Sequence, residues 1–176
     1  MSRPDFDALR REYAPFLLAL AIIVADQITK ALVVANITPI YQGGAIIEIL
    51  GEAVRLIHAR NPGIAFSIGD SLPAGLRGVL FIVIPLIAMA AIGVYGWKSD
   101  EISRLQRWFV AGILGGGIGN IIDRIFRPEG VVDFIDVKFY GLFGLERWPT
   151  FNVADSSVVV CGILLVLSMF LERSES

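Results

Sequence analysis

Five aspartates stand where a carboxylate could do chemistry: Asp26, Asp123, Asp133, Asp136 and Asp155. Two carboxylates that share one proton can take a proton from water and give one to a leaving group. They share it because like charges a few ångströms apart cannot both ionise. Other hydrolytic chemistries lack their residues. His58 is the only histidine and Cys161 the only cysteine, so there is no HExxH pattern and no Cys/His cluster for zinc. A Ser–His or Cys–His mechanism would have to rest on His58 alone. Cys161 lies inside an apolar block, cannot form an intrachain disulfide, and reads as a small buried residue.

Spacing groups the polar residues. Asp26 and Lys30 are i,i+4 and can pair on one helix face. Asn120, Asp123 and Arg124 are i, i+3 and i+4, and Asn152 and Asp155 are i,i+3. Asp26 beside Lys30 fits a structural or substrate-positioning role, and Asp123 beside Arg124 an ion-paired one. Asp155 lies in the first turn of a helix, where the dipole favours a carboxylate. Asp133 and Asp136 have opposite parity in a strand-like run. Asp133 shares its face with Val131, Ile135, Val137 and Phe139, while Asp136 shares its face with Lys138 among apolar residues. A carboxylate on the more apolar face is the costlier placement and the better functional candidate. The residues alone leave open whether Asp123 or Asp133 partners Asp155.

The elements that must hold these groups are membrane-spanning helices. The chain has 176 residues, 55% of them hydrophobic, and a mean hydropathy of +0.69. The apolar residues come in long blocks of the length a bilayer requires. Four spans are expected, at about 14–35, 76–97, 105–126 and 152–172, in a single membrane domain covering 1–176. The first block is long and carries charge in its second half, so it reads as a retained span and not as a cleaved leader. Glycines at 112, 116, 115 and 119 form two i,i+4 small-residue pairs that admit a neighbouring helix. The connections at about 38–60 and 130–140 read as strands, with a hairpin around Gly51 and Glu52. The expected fold is all-α in the membrane, with a small β platform on its outer face.

Arg3, Arg10, Arg11, Lys98, Arg104 and Arg107 fall in the N-terminal tail and the short link between spans two and three. The positive-inside rule then puts both termini in the cytoplasm. In that orientation Asp26, about 18 Å along the first helix from Ala14, lies toward the outer leaflet. Asn120, Asp123 and Arg124 end the third span there, and Asn152 and Asp155 begin the fourth there. Charges at membrane depth are expensive and normally face the bundle interior. The net charge of −2, with no basic tail, gives no sign of nucleic-acid binding.

Five motifs in order resemble one known family. They are Asp26-Gln27 with Lys30; Asn-Pro-Gly-Ile-Ala-Phe-Ser at 61–67; Gly-Gly-Ile-Gly-Asn-Ile-Ile-Asp-Arg at 116–124; Val-Val-Asp-Phe at 131–134; and Phe-Asn-Val-Ala-Asp-Ser at 151–156. The chain resembles the lipoprotein signal peptidases, the type II signal peptidases of bacteria, from its first span to its fourth. It departs from them at Pro62 and Ile64, where the family usually reads Asn-Thr-Gly-Ala-Ala-Phe; proline removes a backbone donor. The resemblance implies an aspartic endopeptidase of the bacterial inner membrane. Such enzymes cut diacylglyceryl-modified prolipoproteins just before the lipidated cysteine, with no metal or organic cofactor. It carries the catalytic dyad onto Asp133 and Asp155. Asp26, Lys30, Asn61, Asn120, Asp123, Arg124, Asn152 and Ala154 match positions that line or support the site. It further implies a monomer in contact with membrane lipid, with its site facing the periplasm. The rival reading is a small transporter or proton-conducting protein using Asp26, Asp123 and Asp155 as an ion path.

Overall fold

A computed structural model of the chain describes residues 6–63 and 73–174. Ile64 to Ser67 of the second motif therefore lie outside the described residues. Helix α1 runs over Phe6–Asn36. The second span starts as α2 (Ala74–Gly78), passes through a π-helical turn at Val79–Val83, and continues as α3 (Ile84–Lys98). Helix α4 covers Arg104–Phe126 and α5 Val153–Ser174. Among the described residues, four helical segments are long and apolar enough to cross a membrane: Tyr13–Gln42, Gly75–Lys98, Arg104–Phe126 and Val153–Glu172. The chain is a multi-pass membrane protein.

Burial shows how the helices are arranged. In the most apolar window of α4, 44% of residues are buried, against 22%, 6% and 11% in the other spans. Helix α4 is therefore the central helix, packed most closely on α5 and α1. The others turn large apolar side chains outward, among them Leu17, Leu32, Ile87, Val94 and Phe170. An exposed apolar surface of this extent suits lipid and not water.

Glycine lets α4 sit at the centre. A Cβ at Gly115 would meet the Ala19 backbone of α1 at 2.8–2.9 Å, and one at Gly119 would meet the Asp26 carboxylate at 2.8 Å. A Cβ at Gly116 would collide with the carbonyl oxygen of Ala154, and one at Gly112 with the Cys161 sulfur. The two glycine pairs thus serve different neighbours: Gly115 and Gly119 face α1, while Gly112 and Gly116 face α5. Ser103 and Gln106 begin α4 with reciprocal bonds between side chain and backbone, which satisfy two donors a helix start leaves open.

Among the described residues, three antiparallel strands sit at one end of the bundle in the order β1–β2–β3: β1 (Ile47–Glu48), β2 (Val54–Asn61) and β3 (Val131–Val137). The expected hairpin is present, turning through Gly51 at φ +53°. Strand β1 is only two residues long, shorter than the apolar run around it. Between β2 and β3 the register shifts. Leu56 pairs with Ile135, and Ala59, three residues on, pairs with Asp133, only two residues back. The extra residue is a bulge. Val33, Ile37, Val132 and Phe134 form the core that seats the sheet on the end of α1. His58 adds a tie, its Nδ1–H donating to the carbonyl oxygen of Ile37 at 2.7 Å.

Candidate active site

The polar ends of α1, α4 and α5 meet beneath the sheet. Asp133 is contributed by β3 and is 3% exposed. Its Oδ1 accepts from Asn152 Nδ2 at 2.7 Å and its Oδ2 from Asn61 Nδ2 at 3.0 Å. The bulge makes the second bond geometrically possible. Strict alternation along β2 would put Asn61 on the face opposite Leu56; the extra residue moves it onto the face shared by Leu56, Ile135 and Asp133. Asn61 pairs with Val131 and is therefore the diagonal neighbour of Asp133.

Asp155 lies in the first turn of α5. Asn152 Oδ1 accepts from the Asp155 backbone N–H at 2.9 Å, and Asp155 Oδ2 accepts from the Asn152 N–H at 3.1 Å. This reciprocal pair closes the helix start as a capping box does. The other oxygen of Asp155 accepts from Asn120 Nδ2 at 2.7 Å. Asn152, wholly buried, thus touches both carboxylates: its backbone N–H reaches Asp155 and its amide reaches Asp133.

Beneath them lies a buried charge cluster organised by Lys30, itself fully buried. Lys30 Nζ contacts Asp26 at 2.8 Å, Asp123 at 3.1 Å and the Asn120 side-chain oxygen at 2.9 Å. An ammonium has three donors, and three acceptors surround this one. The contact also sets Asn120, whose oxygen turns to the cation and whose NH2 turns to Asp155. The two supporting carboxylates each hold the residue before a site aspartate. Asp26 accepts from the Ala154 N–H at 3.0 Å and Asp123 from the Val132 N–H at 3.1 Å. Lys30 therefore joins the backbone at Asp155 to the backbone at Asp133 through one ion. Arg127 completes the charge balance with a 2.6 Å contact to Asp123.

Burial pushes the Asp133 carboxyl up to about 7, and the neighbouring Asp155 charge pushes the same way. The bonds from Asn61 and Asn152 oppose the shift without cancelling it. Asp136, on the other face of β3, is a different kind of group. Arg55 at 2.7 Å and Arg147 at 2.6 Å clamp it, a structural ion triad that ties β3 to β2 and to the segment before α5. Strand parity therefore separates the two aspartates as the sequence suggests.

All ten residues singled out in the sequence converge here: Asp133, Asp155, Asp26, Lys30, Asn61, Asn120, Asp123, Arg124, Asn152 and Ala154. One detail differs. Asp123 is ion-paired, but with Lys30 and Arg127; Arg124 donates instead to the carbonyl oxygen of Gly63 at 3.3 Å. Adjacent residues point apart on a helix, whereas i,i+4 residues meet, and that rule applied to Asp123 would have found Arg127. Gln27 belongs to the cluster too, its Nε2 lying within 3.0–3.2 Å of Asp123, Asp26 and the Gly119 carbonyl oxygen. Among the described residues no three His, Cys, Asp or Glu side chains are placed to hold a metal ion. Among the described residues, α4 from Trp108 to Gly119 and α5 from Val158 to Leu167 carry no charged side chain, which leaves the ion-path reading without charged steps along these two helices.

A bundle of four spans with a small sheet seated over paired aspartates defines an aspartic peptidase of the membrane. The model of the Signal peptidase (SPase) II family matches residues 18–171. A lipoprotein signal peptidase of Treponema denticola is 49% identical over 160 residues, covering 91% of this chain and 90% of that protein. One of Treponema pallidum is 45% identical over 166 residues, covering 94% and 88%. Among solved structures, a bacterial membrane enzyme determined by the in meso method superposes with a TM-score of 0.76. It is 27% identical and the match covers 93% of this chain and 91% of that one. The chain belongs to the signal peptidase II family.

Proposed function

We propose that this endopeptidase removes the signal peptide from diacylglyceryl-modified prolipoproteins, cutting just before the lipidated cysteine, with Asp133 and Asp155 as its catalytic dyad. The observation that carries the assignment is the bridging of both carboxylates by Asn152, while Asp26, Asp123 and Lys30 are consumed in one another and in the backbone. Those three are the support and the dyad is what remains to act. The names of the relatives supply the lipoprotein substrate.

In this mechanism the dyad holds one proton, on Asp133, whose carboxyl stays protonated up to about pH 7. Asp155, bonded by Asn120 and the Asn152 N–H, takes a proton from a water as that water adds to the scissile carbonyl carbon. Asp133 donates its proton to the carbonyl oxygen, giving a neutral gem-diol. Asp155 then returns its proton to the leaving amine as the C–N bond breaks, and the carbonyl re-forms with the proton going back to Asp133. Each carboxyl ends as it began. Arg124, Asn61 and the strands beside the dyad hold the extended substrate backbone.

The excess of Lys and Arg in the N-terminal tail and the 98–107 link supports cytoplasmic termini and a site facing the periplasm. The enzyme acts as a monomer without nucleic acid, in the bacterial inner membrane. The test is cleavage of a purified prolipoprotein with and without diacylglyceryl on its cysteine, the product N-terminus being read by mass spectrometry. Cleavage only of the lipidated form, immediately before the cysteine, is expected. Equal cleavage of both forms would contradict the substrate assignment.

A further inference from the structure

We propose that His58 is a positioning residue for the reaction: its hydrogen bond to the end of α1 fixes the bulge of β2 that brings Asn61 to Asp133. The inference rests on the assignment of Asp133 to the dyad. Among the described residues of β2, His58 alone is buried, at 2% exposure. It stands in the bulge itself. Ile57 and His58 lie between the pairs Leu56–Ile135 and Ala59–Asp133, so two residues of β2 face Phe134 alone. A carbonyl oxygen only accepts, so the 2.7 Å contact with Ile37 puts the imidazole hydrogen on Nδ1. The other ring nitrogen, Nε2, is buried with no partner among the described residues. The bond to Ile37 therefore carries the polar role of this side chain. Its acceptor is a carbonyl of the kind a helix end leaves open: Ile37 follows the last residue of α1, and its own N–H still reaches back to the Val33 carbonyl oxygen at 2.9 Å.

Three residues beyond His58, Asn61 is oriented by its own contacts. Its Oδ1 accepts from the Gly63 N–H at 3.1 Å. Pro62 between them has no N–H to offer, so Gly63 supplies the first donor along the chain. With Oδ1 engaged there, the NH2 turns to Asp133 Oδ2 at 3.0 Å. These contacts set how the amide is turned. Which face of β2 carries it is decided upstream, because a one-residue slip in a strand sends every side chain to the opposite face. Loss of the bulge would be such a slip. The bond from His58 opposes it by tying the bulge to α1, the helix that also carries Asp26 and Lys30. The anchor is fixed in turn, since Ile37 packs with Val33, Val132 and Phe134 in the core that joins α1 to β3. His58 thus acts on Asp133 through Asn61.

The test is kcat/KM of the full chain in detergent on a diacylglyceryl-modified prolipoprotein, with the melting temperature of each variant. His58→Leu removes the donor and nearly keeps the volume, whereas His58→Asn keeps a donor at the place of Nδ1 and loses volume. A loss of about tenfold is expected in His58→Leu, the scale of one hydrogen bond, with His58→Asn within about threefold of wild type. His58→Phe keeps a ring without the donor and takes the place of His58→Leu if that variant folds poorly. In an Asn61→Leu background, His58→Leu should cost less than about twofold more, because residues on one path are not additive. Unchanged turnover in His58→Leu would overturn the inference, as would His58→Asn being impaired as much as His58→Leu, which would make packing the role. A loss undiminished in the Asn61→Leu background would also overturn it, since His58 would then act by another route. Near wild-type turnover in Asp133→Asn, measured alongside, would contradict the dyad and the inference with it, so the two failures are told apart.

Discussion

At the scale of the residue, the account turns on Asp133 being buried beside a second carboxylate. Its carboxyl is raised to about 7 from the ordinary 3.8, so the folded protein holds a proton across that interval that the unfolded chain has released. Stability should therefore fall as pH rises from about 4 to about 7. Melting curves at pH 5 and pH 8 check this: wild type should lose stability at the higher pH, and Asp133→Asn should lack that part of the slope. Because the proposed dyad needs one proton, kcat/KM should also decline above about pH 7, the limb belonging to the pair and not to one residue. A profile flat from pH 6 to pH 9 would contradict a shared proton.

Lys30 gives a second residue-scale prediction. Lys30→Met would leave Asp26 and Asp123 facing each other without their cation, a loss of about 3–5 kcal/mol for a buried pair broken on one side. A large drop in melting temperature in detergent is expected, with turnover falling as the Ala154 and Val132 anchors loosen. Unchanged melting would mean that the cluster does not hold the site. Most of this cluster was legible from spacing, since Asp26 with Lys30 and Asn152 with Asp155 are same-face pairs. The roles of Arg127 and Gln27 were less so. Arg127 follows from an i,i+4 step past the end of a motif, while Gln27 acts across helices, and cross-helix partners leave no trace in local spacing.

At the scale of the element, α4 is placed by what its glycines lack. Gly116 lies against the Ala154 carbonyl and the Val158 side chain, so Gly116→Ala must push α5 away just where it carries Asp155. A cost of about 1–3 kcal/mol is expected for overpacking, with activity falling further than stability because the displaced element bears Asp155, one member of the proposed dyad. Activity and melting temperature measured on one preparation separate the two effects. Periodicity showed the helices and the pairing of the glycines, but not that the two pairs face different neighbours. The bulge in β2 leaves only a faint trace: alternation in the run from Val54 to Asn61 breaks at Leu56-Ile57, where the apolar residues change parity. Only the pairing with β3 shows that the change brings Asn61 to the face of Asp133. The π-helical turn at Val79–Val83 was silent, because an apolar run gives the same signal whatever its hydrogen-bond step.

At the scale of the whole molecule, the sheet and the charge cluster lie at one end of four spans, which fits substrates that approach within the bilayer and are cut at its surface. The proposed orientation is open to direct measurement. In a Cys161→Ser background, Glu146→Cys should react with an impermeant maleimide in intact cells, and Ser99→Cys only after permeabilisation. The reverse pattern would invert the topology. Span number and order were plain in the sequence, because a bilayer imposes its length on any helix that crosses it. The closeness of Asp133 to Asp155 rests on contacts between a strand and a helix 22 residues apart in sequence, and local pattern carries no such information; the family motifs supplied that pairing.

The most direct test of the central claim is turnover of a diacylglyceryl-modified prolipoprotein by wild type, Asp133→Asn, Asp155→Asn and Asp123→Asn, each confirmed folded. The amide variants keep shape while removing the proton-transfer group. Loss of about 100- to 10,000-fold in Asp133→Asn and Asp155→Asn, with clearly greater residual turnover in Asp123→Asn, is the predicted result. Near wild-type turnover in Asp133→Asn, with Asp123→Asn inactive, would contradict the dyad and move its second member to α4.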